Sequence, residues 1–214
     1  MTEEAARAAL VRAARETVAL GLNSGTAGNL SLRHGEGMLI TPTGIAPERM
    51  TEAQIVRVEA DGEWRGDWRP SSEWAIHARL YAARPDAGAI VHAHPDHCVA
   101  LSCLRQAIPP FHYMVAGFGG GVVPCAPYAC FGSPELADAV AATMVAPLTA
   151  CLMANHGMVA LGADIEATLA RAVKLETLAR QYLLAKAGGE PVLLTAAEMA
   201  DVAARYGSYG RQPG

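Results

Sequence analysis

Lysine is almost missing: only Lys174 and Lys186 carry an ammonium group, and the 17 Lys and Arg residues are outnumbered by 21 acids in a chain of 214. The resulting net charge of −4 is small, so neither a basic nucleic-acid surface nor a strongly acidic face is expected. No run of about 18 apolar residues occurs, which argues against a helix that crosses a bilayer. The opening "MTEEAARAALVRAARETVALG" is charged and helix-patterned, unlike a signal peptide. The cytoplasm is therefore the default location. Five cysteines, an odd number without a CxxC pair, favour buried free thiols over a disulfide framework or a thiolate metal site. Repeats, linkers and low-complexity stretches are also lacking, so residues 1–214 are expected to form one domain around one sizeable core.

What is present is a mixture of helical and strand patterns. Ala6, Leu10, Ala13, Ala14 and Thr17 to Leu20 recur at helical spacing, with Gly21 placed to end the helix. "GLNSGTAGNLSLR" reads as turn then strand, "GMLITPTGIAPERM" as a short strand with a Pro/Gly loop, and "AQIVRVEADGEWRGD" as a hairpin turning at Asp61-Gly62. "SSEWAIHARLYAARP" predicts a Ser-capped helix over 72–83, feeding a strand at "AIVHAHP"; "HPDHCVALSCL" is helical. "TACLMANHGMVALG" gives two short strands around Asn155-His156-Gly157, and "DIEATLARAVKLETLARQYLLAKAGG" is an amphipathic helix stopped by Gly188 and Gly189. The expected fold is α/β: a central, largely antiparallel sheet flanked by helices in three layers.

Chemistry concentrates in a few places. In "AIVHAHP" the alternation of a strand sends Ile90, His92 and His94 to one side, so two imidazoles emerge together near the strand's end. His156 projects from a turn, and Glu73 lies at a helix start whose positive end stabilises a carboxylate. Each alone has a bland reading, a satisfied core histidine or a capping carboxylate. Together, three imidazoles and a displaceable carboxylate suit one divalent first-row ion, Zn²⁺ first and Mn²⁺ or Co²⁺ next. A second constellation is the loop Asn23-Ser24-Gly25-Thr26-Ala27-Gly28-Asn29 with Thr43-Gly44 and Ser71-Ser72. Glycines let backbone N–H groups approach an anion, hydroxyls and amides add neutral donors, and a helix N-terminus adds partial positive charge. The pattern lacks GxxxxGK[ST], so a nucleotide P-loop is excluded, while a phosphate cradle without lysine remains.

The strings "GLNSGTAGNLSLR", "TPTGI", "PSSEWAIH", "IVHAHPDHC", "HYM", "PCAPYACFG", "NHG" and "SYG" occur in an order and spacing that resembles the class II aldolase/adducin family. The resemblance implies that His92, His94, His156 and Glu73 hold the divalent cation, usually zinc, with Glu73 also the acid/base. It implies that Thr26, Gly28, Asn29, Thr43, Gly44, Ser71 and Ser72 hold a substrate phosphate. Tyr113 in "FHYMV" and Tyr209 in the tail match tyrosines that reach the active site, Tyr113 from the neighbouring subunit of a homotetramer; Tyr206, in another "YG", is the competing tail match.

The activity so implied is retro-aldol cleavage of a ketose 1-phosphate, L-fuculose 1-phosphate or a 5-deoxy or methylthio relative, to dihydroxyacetone phosphate and a small aldehyde. The metal, as a Lewis acid, would stabilise the enediolate left when the C3–C4 bond breaks. An imine mechanism would need Lys174 or Lys186, which the pattern places in or beyond the long C-terminal helix, away from every candidate site. Ribulose-5-phosphate 4-epimerases share the resemblance but typically carry Asp where this chain has Glu73. Dehydratases and decarboxylases of the family are further alternatives, and an adducin-type interaction module would lack the ligands. The expected partner is a small phosphorylated sugar, with neither nucleic acid nor membrane.

Overall fold

The computed structural model describes residues 1–206. Seven strands, β1 (Asn29–His34), β2 (Gly37–Ile40), β3 (Val56–Val58), β4 (Ala89–Ala93), β5 (Cys125–Ala126), β6 (Ala150–Met153) and β7 (Gly157–Gly162), form one mixed sheet in the order β3-β2-β1-β4-β7-β6-β5. Every pairing is antiparallel except β5 with β6. The sheet is flanked by helices and is not closed into a barrel.

Strand alternation sorts the core into two layers. Leu30, Leu32, Val91, Met158 and Ala160 face α1 (Glu3–Ala19), α3 (Asp96–Cys103) and α5 (Ile165–Gly188), through Leu10, Leu101, Leu175 and their neighbours. Met38, Ile40, Ile90, Val159 and Leu161 face α2 (Trp74–Ala83) and α4 (Pro134–Thr143), through Ile76, Leu80, Leu136 and Val140. The central strands β4 and β7 are buried on both faces, which is why they read as near-continuous apolar runs. Because Ile90 faces α2, His92, two residues on, does too, and the strand aims its imidazole at the start of that helix.

Several expectations change in detail. The hairpin at Asp61-Gly62 is reduced to one bridge, Val58 to Trp64, beyond a three-residue β3. The helix expected over 72–83 starts at Trp74, and Ser72 does not cap it; instead Ser71 Oγ accepts from the Glu73 amide at 3.3 Å. Leu20 is 47% exposed, since the first helix ends at Ala19 with Leu20 as its C-cap before Gly21 turns the chain at φ 69°. All five cysteines are free, but only Cys98 and Cys151 are buried: Cys103 and Cys130 are exposed and Cys125 is half-buried, because those three stand at element ends or in loops. Near the described end, α6 (Ala196–Tyr206) begins with a reciprocal cap: Thr195 N donates to Glu198 Oε2 at 2.7 Å and Glu198 N to Thr195 Oγ1 at 3.3 Å.

Candidate active site

Three chain segments bring the four candidate ligands together. His92 sits in β4, opposite Asn29 of β1 and Val159 of β7. His94 follows the strand, its amide donating to Leu22 O at 3.2 Å and Asn23 Oδ1 at 3.1 Å. His156 stands in the β6–β7 turn, which the left-handed Asn155 (φ 53°) makes possible and which Ser102 ties down by accepting from the His156 amide at 3.2 Å. Glu73 enters from the N-terminal end of α2 with its carboxyl buried, and it makes no capping bond. One ligand atom from each of Glu73, His92, His94 and His156 lies within 4.8 Å of the others.

Gly157 explains how the rings fit. A Cβ there would stand 2.5 Å from Ala93 O and 2.9 Å from His94 Cδ2, so only glycine lets β7 pass this close to the second histidine. The rings of His94 and His156 stack with centroids 5.1 Å apart, and His92 meets each edge-on at 4.5 and 5.0 Å.

The polar atoms here fit a metal ion. His92 Nδ1 is 2.9 Å from Met158 O, so it carries the proton and Nε2 presents a lone pair. That lone pair lies 2.9 Å from Glu73 Oε2, yet His92 Nε2, His94 Nδ1 and Glu73 Oε1 are all buried without a hydrogen-bond partner. Two acceptors facing each other repel unless a cation lies between them. Burial raises the Glu73 pKa, but the three imidazoles around it, His92 first, outweigh that effect and bring the group to about 2, so it is ionised at pH 7. Burial pulls His94 down to about 3 and lowers His156, so both rings are neutral at pH 7. Neutral imidazoles and an ionised carboxylate are the protonation states in which such groups can ligate a divalent cation.

Beside this cluster opens a cavity of about 400 Å³ lined by Thr26, Gly28, Asn29, Thr43, Gly44, Ser71 and Ser72, with Glu73, His94 and His156 at one end. The loops are locked to each other: Ser71 N donates to Thr41 O at 3.1 Å and Thr43 N to Arg69 O at 3.2 Å. Gly28 has φ 76° and lies against the Asn23 side chain, where a Cβ would come within 2.3 Å of the carboxamide nitrogen. Asn23 thus joins the loop 24–29 to His94. Among the described residues, neither Lys nor Arg lines the cavity.

Residues 8–183 match the Class II Aldolase and Adducin N-terminal domain family. The chain belongs to this family. It is 46% identical over 206 residues to a 5-methylthioribulose-1-phosphate/5-deoxyribulose-1-phosphate aldolase of Rhodospirillum rubrum, covering 96% of this chain and 93% of that one. It is also 46% identical over 196 residues to an L-fuculose phosphate aldolase of Escherichia coli, covering 91% of each. Among solved structures, an L-fuculose 1-phosphate aldolase superposes with a TM-score of 0.90 at 36% identity, over 94% of this chain and 96% of that one.

Within this class II aldolase-family site, other expected residues stand elsewhere. Tyr113, 47% exposed, begins a 3-10 helix (Tyr113–Phe118) and is absent from the cavity lining of its own chain. It shares a separate cavity with Met114, Lys174 and Tyr206. Lys174 is therefore not away from every candidate residue: α5 carries it to a 3.3 Å hydrogen bond with Tyr206 Oη. Tyr209 lies outside the described residues. The sequence reading passed over Tyr128 and Phe131, exposed rings that line the cavity mouth, although "PCAPYACFG" contains both. It also passed over His77, buried behind Asn29 and invisible as a site residue because it sits among apolar positions of a helix.

Proposed function

We propose that this protein is a metal-dependent aldehyde-lyase that cleaves a ketose 1-phosphate to dihydroxyacetone phosphate and a small aldehyde. L-Fuculose 1-phosphate and its 5-deoxy and 5-methylthio pentulose relatives are the candidate substrates. The observation that carries the reading is the convergence of four ligand groups on one edge of a cavity built from neutral anion donors.

Glu73, His92, His94 and His156 would hold the ion, Zn²⁺ by the preference of three imidazoles and a carboxylate, with Mn²⁺ or Co²⁺ as substitutes. When bound, such an ion supplies Lewis acidity that stabilises the negative charge developing beside a carbonyl as a carbon–carbon bond breaks. Glu73 moves the proton at the dihydroxyacetone phosphate carbon, delivering it in cleavage and removing it in condensation. The loops around Thr26, Gly28, Asn29, Thr43, Gly44, Ser71 and Ser72 bind the phosphate through backbone N–H, hydroxyl and amide donors. Because these donors are neutral, they add no fixed positive charge to compete with the ion for Glu73. Tyr128 and Phe131 offer apolar rings to the small aldehyde portion.

The exposed position of Tyr113, outside its own chain's cavity, supports its serving the aldehyde oxygen of a neighbouring subunit's site in a homotetramer; Tyr209 would close the same site from the tail. Residues 1–214 then act as one cytoplasmic enzyme domain. Purified protein incubated with a panel of ketose 1-phosphates should release dihydroxyacetone phosphate from at least one, and the unphosphorylated ketose should be a poor substrate. Absence of release across the panel, with metal demonstrably bound, would overturn the proposal.

A further inference from the structure

Behind the cavity wall a row of polar side chains runs into the apolar core. Asn29 Nδ2 donates to Glu73 Oε2 at 3.4 Å, and Asn29 Oδ1 lies 2.5 Å from His77 Nε2. His77 Nδ1 is 2.7 Å from Ser31 Oγ, which is in turn 2.8 Å from Tyr81 Oη. Asn29, Ser31 and His77 are all at most 3% exposed, and Tyr81 is capped from outside by the Arg33 guanidinium, 4.6 Å above its ring.

The chemistry of one end dictates the direction of every bond. A carboxylate only accepts, so the Asn29 NH₂ must face Glu73 and its carbonyl must face His77. That carbonyl only accepts, so His77 Nε2 must carry a proton. Burial holds the His77 pKa down to about 3, so the ring is neutral at pH 7 and Nδ1 is an acceptor. Ser31 must then donate to Nδ1, and its oxygen must accept from Tyr81, whose own pKa burial raises. No other assignment satisfies all four groups.

We propose that His77 is a positioning residue for this site: fixed as the Nε2–H tautomer by Ser31 and Tyr81, it locks the Asn29 carboxamide with both N–H bonds toward Glu73 and the cavity. A carboxamide free to flip would turn its carbonyl oxygen on the Glu73 carboxylate and take an N–H donor from the anion site. The kinetic consequence rests on the lyase reading above; the tautomer does not. The arrangement also reassigns part of Asn29, whose amide is already engaged on two sides and has one N–H left for a phosphate oxygen.

Long-range ¹H–¹⁵N correlation on histidine-labelled protein tests the tautomer without reference to activity, the His77 signals being those that vanish in His77→Gln. The expected pattern is a neutral ring protonated at Nε2, opposite to the Nδ1–H expected for His92. A ring protonated at Nδ1, or an imidazolium at pH 7, would overturn the proposal. Kinetically, His77→Gln keeps an N–H donor at the reach of Nε2, whereas His77→Leu removes it. With one metal per chain retained, His77→Leu should lower kcat by roughly tenfold or more, and His77→Gln should restore most of it. Equal losses in both variants that follow their thermal midpoints, or no loss in either, would assign His77 to packing alone. Failure of the parent to cleave any ketose 1-phosphate would count against the lyase reading, with the tautomer signal still deciding this one.

Discussion

Two polar regions lie back to back across Asn29, and they are built on opposite terms. In the row Asn29–His77–Ser31–Tyr81 every buried donor and acceptor has a partner, and the assignment of protons is forced. In the cluster Glu73–His92–His94–His156, three buried atoms have none, although His92 Nε2 lies 2.9 Å from Glu73 Oε2 and Glu73 Oε1 lies 3.2 Å from His156 Nε2. An unpartnered buried polar atom costs about 1–3 kcal/mol, so three at one point mark a place shaped for something other than protein. The satisfied row fits a supporting role, and the unsatisfied cluster fits a ligand site.

The largest separation between the two regions should come from Glu73→Gln. It removes the proposed acid/base but leaves three imidazoles, so turnover should fall roughly 10²–10⁴-fold while some metal remains bound. Metal analysis beside kcat checks this, and unchanged turnover would move the proton chemistry elsewhere. Next in size, Gly157→Ala should push a methyl group into Ala93 O and the His94 ring, costing ~1–3 kcal/mol of stability and most of the metal affinity. A denaturation midpoint and a metal titration read the two effects separately.

The supporting row has its own signature in pH. The folded pKa of His77 is depressed from 6.5 to about 3, chiefly by burial, so between those values the unfolded chain binds a proton that the folded chain refuses. Stability from this group is complete above pH 6.5 and is lost as pH falls toward 3. His77→Gln should flatten that part of the urea-midpoint curve between pH 6.5 and 4. An unchanged curve would show that another group dominates acid sensitivity. The smallest effect belongs to the anion loops: Ser71→Ala should weaken inorganic phosphate binding by about 0.5–1.5 kcal/mol, a few-fold, and leave metal content alone.

How far these regions were legible in the sequence depends on what carries the signal. His92 could be placed because a period of two determines which side chains share a face, and β4 obeys it from Ile90 to His92; His94 lies one residue past the strand's end, where Leu22 and Asn23 hold its amide. His156 could be placed because Asn-His-Gly between two apolar runs demands a tight turn. The loops lining the anion cavity were visible as glycines beside hydroxyls and amides. His77 was not legible, since a helix position facing a sheet reads as core whatever residue fills it, and its partners Asn29 and Ser31 are 48 and 46 residues away. Tyr128 and Phe131 escaped because aromatic residues in a Pro/Gly-rich loop show no period from which a facing can be read. The late start of α2 reflects the Ser71–Glu73 turn, in which the backbone is diverted to line the cavity before the helix begins.

The central claim is that one divalent ion, held by Glu73, His92, His94 and His156, is required for the chemistry of this site. It is tested most directly by stripping the protein with a chelator, measuring residual metal, and adding Zn²⁺, Mn²⁺ or Co²⁺ back in known amounts, in parallel with a His156→Ala variant. Ketose 1-phosphate cleavage should disappear with the metal and return with one equivalent per chain, and His156→Ala should bind the ion weakly and not recover. Full cleavage by demonstrably metal-free protein, or undiminished metal binding in His156→Ala, would contradict the claim.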